Sequence, residues 1–392
     1  MKKYLLNKNE IISLLKYYYY RIYVFIKRIK NDDLWIISER GDDARDNSYH
    51  LFKYIRNEHP EINIKYIIKK ESADYYKIKD LGNIIDYGSK EHYIAFLTAK
   101  NLISTHVMGF SPCMSLFLKL NIANLIKVRG NKINIKHGIT KDYIRILDYK
   151  YSHLDMLVAA ANSEYEYFID GLKYPKDVVK KTGFARFDNL VSIKNKEKSI
   201  LIMPTFRKHY YNINDFKETE FYKIYNGLLN DKKIISILEE NKIKLYFYPH
   251  YEFQKYINLF YTSSDSIVIC SKEQYDVQDL LLKSSVLITD YSSVFFDYAY
   301  MLKPMIFYQF DYEEYRKNHY HEGYFDYQRD GFGKIVKNQE ELIKELIGII
   351  NNNYEMDDVY KNKTNKFFCY IDNNNCERIF KEIKNISKEK NC

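Results

Sequence analysis

The chain has 392 residues, 46% of them hydrophobic, and a formal charge of +9 from 61 Lys and Arg against 52 Asp and Glu. That length gives room for two domains of ordinary size, and that apolar content excludes wholesale disorder. The positive balance is spread along the chain and favours anionic partners, but no arginine-rich block or zinc-finger spacing supports nucleic-acid recognition.

Residues 11–30 are basic, aromatic and apolar, and Lys16, Arg21, Lys27 and Arg28 interrupt them too often for a bilayer-spanning helix. This composition suits a helix lying on anionic lipid with Tyr at headgroup depth; a helix packed on the following domain would use the same residues. No secretory signal is evident, and the five scattered cysteines form neither a C-x-x-C pair nor a His/Cys cluster. A reducing cytosol fits, with no disulfide framework and no zinc site. Forty-one tyrosines beside abundant Lys, Asn and Ile look like nucleotide-composition bias, so a Tyr in a suggestive place carries little weight.

Strand-like and helix-like segments then alternate, as in an α/β protein with parallel sheets. Strands are predicted at 34–38, 64–68, 84–85, 101–105, 132–136 and 156–160, with helices over 47–56 and 91–100 and from Ser163. Residues 189–199 are polar and lysine-rich and read as a linker. Beyond it, strands are predicted at 200–203, 244–248, 267–269, 286–289 and 305–308. Helices are predicted over 221–241, 277–283, 340–351 and 373–388. Two such halves imply a two-domain enzyme, and in open α/β sheets the ligand lies beyond the carboxyl ends of the strands.

Four strand ends carry chemistry. His137, in Ile135-Lys136-His137-Gly138-Ile139, is suited to accept a proton near neutral pH, or to bond local backbone in a turn. Arg207, in Pro204-Thr205-Phe206-Arg207, offers a planar fork for phosphate, or one side of a salt bridge. His250, in Tyr248-Pro249-His250, would neutralise a phosphate oxygen. Thr289-Asp290-Tyr291-Ser292-Ser293 runs from a strand into a helix. There the free N–H groups, the helix dipole and the hydroxyls of Ser292 and Ser293 suit a phosphate, though the serines would equally serve as N-caps. Asp297, one turn on, accepts from a ligand hydroxyl or is structural, and Asp290 orients the loop. There is no P-loop, no G-x-G-x-x-G, no G-x-S-x-G elbow and no D-x-D. The set points to phosphate chemistry with no required metal.

In order and number these segments resemble the CDP-glycerol:poly(glycerophosphate) glycerophosphotransferase family, the teichoic-acid primases and polymerases with their CDP-ribitol and capsule-polymerase relatives. The matching segments also include Trp35-Ile36-Ile37-Ser38-Glu39-Arg40-Gly41 with Asp46-Asn47, and Thr182-Gly183-Phe184-Ala185-Arg186-Phe187-Asp188. Phe296-Asp297, Lys303-Pro304, Asp311-Tyr312 and Gly323-Tyr324-Phe325-Asp326 complete them. The resemblance covers roughly residues 30 to 380. It implies a GT-B-like α/β fold, two Rossmann-like domains with a cleft between them. It also implies transfer of glycerol or ribitol phosphate from a CDP-activated donor to a hydroxyl on a lipid-linked or saccharide acceptor, with release of CMP and no required cofactor. His137 would be the general base. His250 and Arg207 would hold the diphosphate, and Thr289, Ser292 and Ser293 would bind donor phosphates with Asp297 nearby.

The domains expected are a basic helix at 1–30, an acceptor domain at 31–190 and a CDP-donor domain at 198–392 that includes the final helix. The enzyme is expected in the cytoplasm, peripheral on the inner face of the membrane. Two features depart from the family: a short basic helix stands where the long polymerases carry a further domain, and Gly331-Phe332-Gly333 lacks an expected proline. A GT-B glycosyltransferase using a nucleotide sugar, or an inactive polysaccharide- or lipid-binding scaffold, are the alternatives.

Overall fold

The computed structural model describes residues 6–190, 197–318 and 321–389. The chain forms two compact units. One holds the described residues of 1–140, 144–188 and 372–389, the other residues 141–143 and the described residues of 189–371.

The first unit is a seven-stranded parallel sheet of β1 (Asn31–Ser38), β2 (Ile64–Ile68), β3 (Ile84–Asp86), β4 (Ala99–Ser104), β5 (Asn131–Asn134), β6 (Met156–Ala159) and β7 (Val179–Lys181). Its order is β3-β2-β1-β4-β5-β6-β7, so the chain doubles back between β1 and β4. Ile36, Ile37, Ile67, Ile103, Ile133 and Leu157 are fully buried. Strands covered on both faces need continuous apolar runs of this kind, which is why they were legible as strands.

The second unit repeats the plan with β8 (Ser199–Met203), β9 (Lys244–Phe247), β10 (Ile267–Ile269), β11 (Val286–Thr289), β12 (Met305–Tyr308) and β13 (Lys334–Val336). The order is β10-β9-β8-β11-β12-β13, again all parallel, with the reversal between β8 and β11. Its core gathers Ile200, Ile202, Phe247, Ile288 and Ile306 with aromatic residues from the covering helices.

Several local expectations change. The single helix expected over 221–241 is two, Glu220–Leu229 and Lys232–Glu240, because the Asp231 carboxylate accepts the Lys233 and Ile234 N–H groups and starts a new helix. β7 and β13 were not expected; each is a three-residue strand carrying lysine at the sheet edge, too short and polar to show a period. The linker expected at 189–199 falls mostly on residues outside those described, and Ser199 already belongs to β8.

The final helix, Asn375–Glu389, was expected in the second unit and belongs to the first. Ile379, Phe380 and Ile383 on its apolar face are buried, with Phe380 5.9 Å from Trp35 of β1 and stacked on His59 at 3.9 Å. Its start is held by Asp188, whose carboxylate accepts the Asn375 and Cys376 N–H groups at 2.8 Å each. An amphipathic pattern reports that a helix covers a sheet, not which sheet, so chain order misassigned it.

The helix Lys8–Lys27 has two distinct faces. Glu10, Ser13 and Tyr17 turn inward: Glu10 meets Lys119 at 2.8 Å, Ser13 meets the Tyr93 hydroxyl at 2.6 Å, and Tyr17 packs edge-on against Phe117. Leu15, Ile22, Phe25 and Ile26, 60–82% exposed, lie on the other face. No helix of the described residues is long and apolar enough to cross a membrane.

Candidate active site

In the first unit the residues of interest gather at the carboxyl ends of β1, β4 and β5, beside the chain reversal. Lys136, just past β5, takes the left-handed region at φ +59°, which turns the chain out of the sheet and leaves the next side chain, His137, exposed. The turn is fixed by its carbonyls: Asn47 Nδ2 donates to Lys136 O at 2.8 Å and Arg186 Nη1 donates to His137 O at 2.9 Å. Arg186 is itself held by Asp46 at 2.9 Å and by its own N–H on Asn47 Oδ1 at 3.0 Å. Gly183 begins the segment that carries Arg186, at φ +78°; a Cβ there would collide with Asn375, so this position admits only glycine.

The electrostatics of this end are mostly positive. Loss of hydration lowers the His137 pKa well below the ordinary imidazole value, and His106, Lys136, Arg186 and Arg40 push the same way. His137 nonetheless keeps an exposed face. Lys136 is 2% exposed, and burial pulls its amine down to about 8 against the pull of Glu164. Glu164 is fully buried, its carboxyl pushed up to about 7 by burial although it accepts the Thr140 N–H at 2.7 Å and the Ala160 N–H at 3.0 Å. These bonds brace the loop beyond His137. His137 is therefore a neutral imidazole at neutral pH, able to take a proton.

In the second unit Arg207 is fully buried and occupied. Its guanidinium meets Asp311 at 2.5 and 3.0 Å, Asp290 at 2.9 Å and the Thr205 carbonyl at 2.7 Å. Burial opposes its charge, but the two carboxylates outweigh that and raise its pKa well above the ordinary value. The expected phosphate fork is thus the other reading, a salt bridge: every edge of the guanidinium is turned inward. Asp290 Oδ1 accepts the N–H groups of Thr205 at 2.8 Å and Tyr291 at 2.5 Å, so it does orient the loop, joining the ends of β8 and β11.

Thr289 is also corrected. It is 1% exposed and its hydroxyl donates to Met203 O at 2.7 Å, which commits its single proton within the sheet. Asp297, 7% exposed, is withdrawn from solvent on the helix Val294–Tyr300. Ser292 and Ser293 are different. Ser293 is exposed and makes no side-chain cap bond, and Ser292 Oγ only accepts the Val294 N–H at the long distance of 3.5 Å. Among the described residues neither hydroxyl proton nor the N–H of either serine has an acceptor, so four donors remain uncommitted.

His250 lies half-buried past β9, stacked on Phe206 at 4.8 Å. Its Nδ1 accepts the Glu252 N–H at 3.2 Å, which places the ring proton on Nε2. Burial lowers its pKa while Glu252 and Asp290 pull it back up. A cavity of about 550 Å³ opens near the ends of β12 and β13, and Glu220, Asp311, Glu313, Glu314 and Asp326 in its wall make it a poor host for phosphate. Lys303, of the matching Lys303-Pro304, spends its amine on the carbonyls of Leu281, Leu282 and Ser284 at 2.7–3.1 Å and so caps a helix. Among the described residues no three His, Cys, Asp or Glu side chains are grouped to hold a metal ion.

Sequence reasoning missed His106, which lies parallel to His137 with ring centroids 4.8 Å apart. A histidine directly after a predicted strand end, in Ser104-Thr105-His106, was the available signal. It also missed Glu164, and it named Asp311 within a matching segment without its role as the partner of Arg207, which is distant in sequence.

The sequence model of the CDP-Glycerol:Poly(glycerophosphate) glycerophosphotransferase family matches residues 18–385. The minor teichoic acid biosynthesis protein GgaB of Bacillus subtilis (strain 168) is 34% identical over 372 residues, covering 91% of this chain and 40% of that protein. The teichoic acid glycerol-phosphate transferase of Staphylococcus aureus (strain NCTC 8325 / PS 47) is 24% identical over 413 residues, covering 95% of this chain and 100% of that protein. This chain therefore spans less than half of GgaB and the full length of the second relative. A solved structure of a variant of the wall teichoic acid polymerase TagF matches with a TM-score of 0.68 at 18% identity, over 98% of this chain and 100% of that one. That likeness shows the fold, two Rossmann-like units of the GT-B kind.

Proposed function

The chain belongs to the CDP-glycerol:poly(glycerophosphate) glycerophosphotransferase family, and from that premise we propose that it moves glycerol phosphate or ribitol phosphate from a CDP-activated donor to a hydroxyl acceptor. The product is a teichoic-acid or capsule-type surface polymer, and CMP is released. The observation that carries this reading is His137, an exposed and neutral imidazole whose own carbonyl is clamped by Arg186.

In this mechanism His137 takes the proton of the acceptor hydroxyl. The acceptor oxygen forms the new bond to the phosphorus that bears the polyol, and the bond from that phosphorus to the bridging oxygen breaks. CMP leaves with the electron pair. A positioned base is worth about 10²–10⁴-fold. The uncommitted donors of Ser292 and Ser293 suit the donor's phosphates, and the Nε2–H of His250 suits the charge that grows on the leaving group. Arg207 acts indirectly, holding the loops of β8 and β11 through Asp290 and Asp311. No step is assigned to a cofactor.

The acceptor is a lipid-linked or saccharide hydroxyl, and the enzyme works at the cytoplasmic face of the membrane. The support for membrane contact is the outer face of Lys8–Lys27, where exposed Leu15, Ile22, Phe25 and Ile26 stand among exposed Lys16, Arg21, Lys27 and Arg28. That pairing of apolar and cationic groups fits an anionic lipid surface. Phe25→Asp should abolish cosedimentation with anionic vesicles; retained cosedimentation would refute the assignment. The reaction itself is tested by incubating the protein with CDP-glycerol, CDP-ribitol and UDP-sugars and measuring released nucleotide. CMP from a CDP-polyol is expected, and release from UDP-sugars alone would replace this reading with a glycosyltransferase.

A further inference from the structure

The loop after β4 is built more tightly than a connection requires. Ser104 Oγ donates to the Glu39 carbonyl at 3.0 Å and accepts the His106 N–H at 3.1 Å. Met108 takes the left-handed region at φ +61°, and the Gly109 N–H returns to the His106 carbonyl at 3.0 Å. A Cβ on Gly109 would run into the Ser104 hydroxyl and the Glu39 carbonyl, so the turn closes only with glycine. Strain of this kind persists where the surrounding structure holds it in place. Here it fixes one side chain. The His106 ring lies 9° from parallel to that of His137, and its Nδ1 is 2.9 Å from the Thr105 hydroxyl.

The need for such a support lies in His137. Its backbone is held at two carbonyls, yet among the described residues no hydrogen bond reaches either nitrogen of its ring. A catalytic base is ordinarily oriented by a third group, often a carboxylate. We propose that His106 takes that place as a positioning residue, a flat wall that holds the His137 imidazole in one orientation toward the acceptor. The inference rests on the reading of His137 as the base.

Charge supports the geometry. Burial pulls His106 down to about 3, aided by Arg40 and Lys136. The groups that face the pair are Arg40, Lys136 and Arg186 on the positive side. On the negative side are Asp46, held by Arg186, and Glu164, which acts on Lys136. Two parallel imidazoles at 4.8 Å repel when both are protonated, so removing His106 makes His137 easier to protonate.

The test compares His106→Ala, which removes the wall, with His106→Phe, which keeps a flat ring without nitrogens, in the full chain. Three quantities are read: kcat and KM for CMP release from CDP-glycerol, and the NMR titration of the His137 ring. His106→Ala should lower kcat about 10- to 100-fold with KM unchanged. His106→Phe should stay within about threefold of wild type. In both, His137 should titrate at higher pH. His106→Leu, which fills the space without a flat ring, replaces the alanine variant if that one does not fold, with the same expected loss. Unchanged kcat in His106→Ala would overturn the proposal. So would a His106→Phe variant as inactive as His137→Ala, since His106 would then act chemically. If His137→Ala itself retains activity, the base assignment is what fails. The ring titration then decides the positioning claim alone, and an unaltered His137 signal in His106→Ala overturns it.

Discussion

His137 and His250 are built alike and surrounded differently. Each follows a strand of a parallel sheet, each lies against a flat ring, and burial lowers the pKa of each. Around His137 the charges that act on the ring are the cations Lys136, Arg186 and Arg40, beside the neutral ring of His106. Around His250 they are negative, Glu252 and Asp290. In the proposed reaction the same residue at the same kind of strand end serves as a base in one unit and as a proton-bearing donor in the other. The difference is made by neighbours rather than by the motif.

The largest effect that would break this comparison is on His137. His137→Ala should lower CMP release about 10²–10⁴-fold with little change in KM for CDP-glycerol. The sign of the pH dependence follows from the depressed pKa. Below about pH 6.5 an unfolded imidazole takes a proton that the native ring refuses, so native stability falls as pH drops. The alanine variant should show a shallower slope, the remainder coming from His106 and His250, whose pKa values are also lowered. A wild-type slope retained in His137→Ala would mean that the ring is not held neutral.

Arg207 comes next, because the question there is structure against ligand. Arg207→Met leaves Asp290 and Asp311 buried without their partner, which should cost about 3–5 kcal/mol in denaturant unfolding. A variant that is stable but poor in donor affinity would restore the phosphate fork. His250→Ala should follow with about 10²-fold lower turnover, on the scale of losing one preorganised donor. His250→Gln, which keeps an N–H, should recover part of that; full loss in the glutamine variant would argue for proton transfer instead.

These contrasts also show where sequence reading reaches and where it stops. The strand ends carrying His137, Arg207, His250 and Thr289 were legible because each follows an apolar run buried on both faces. What each side chain does there was not legible, because its partners lie far along the chain. Arg207 is neutralised by Asp311, 104 residues away, and Thr289 is bound to Met203, 86 residues away. His106 needed the β4–β5 pairing to bring it over His137. The final helix shows the same limit at larger scale: its apolar stripe was clear, and the sheet it covers was decided by Asp188 and Trp35.

The smallest effects separate the two hydroxyl types of the 289–293 segment. Thr289→Val removes a buried hydrogen bond and should cost about 1 kcal/mol of stability while leaving KM for CDP-glycerol unchanged. Ser293→Ala should do the reverse. Its side chain is exposed and caps nothing, so stability should stay within about 0.5 kcal/mol. Loss of one donor to a charged phosphate is worth about 1.5 kcal/mol, or about a tenfold rise in KM. The contrast depends on where each proton points, Thr289's to Met203 and Ser293's to no acceptor among the described residues. An unchanged KM in Ser293→Ala beside a raised one in Thr289→Val would reverse that assignment and move the phosphate site from the helix start to the strand end.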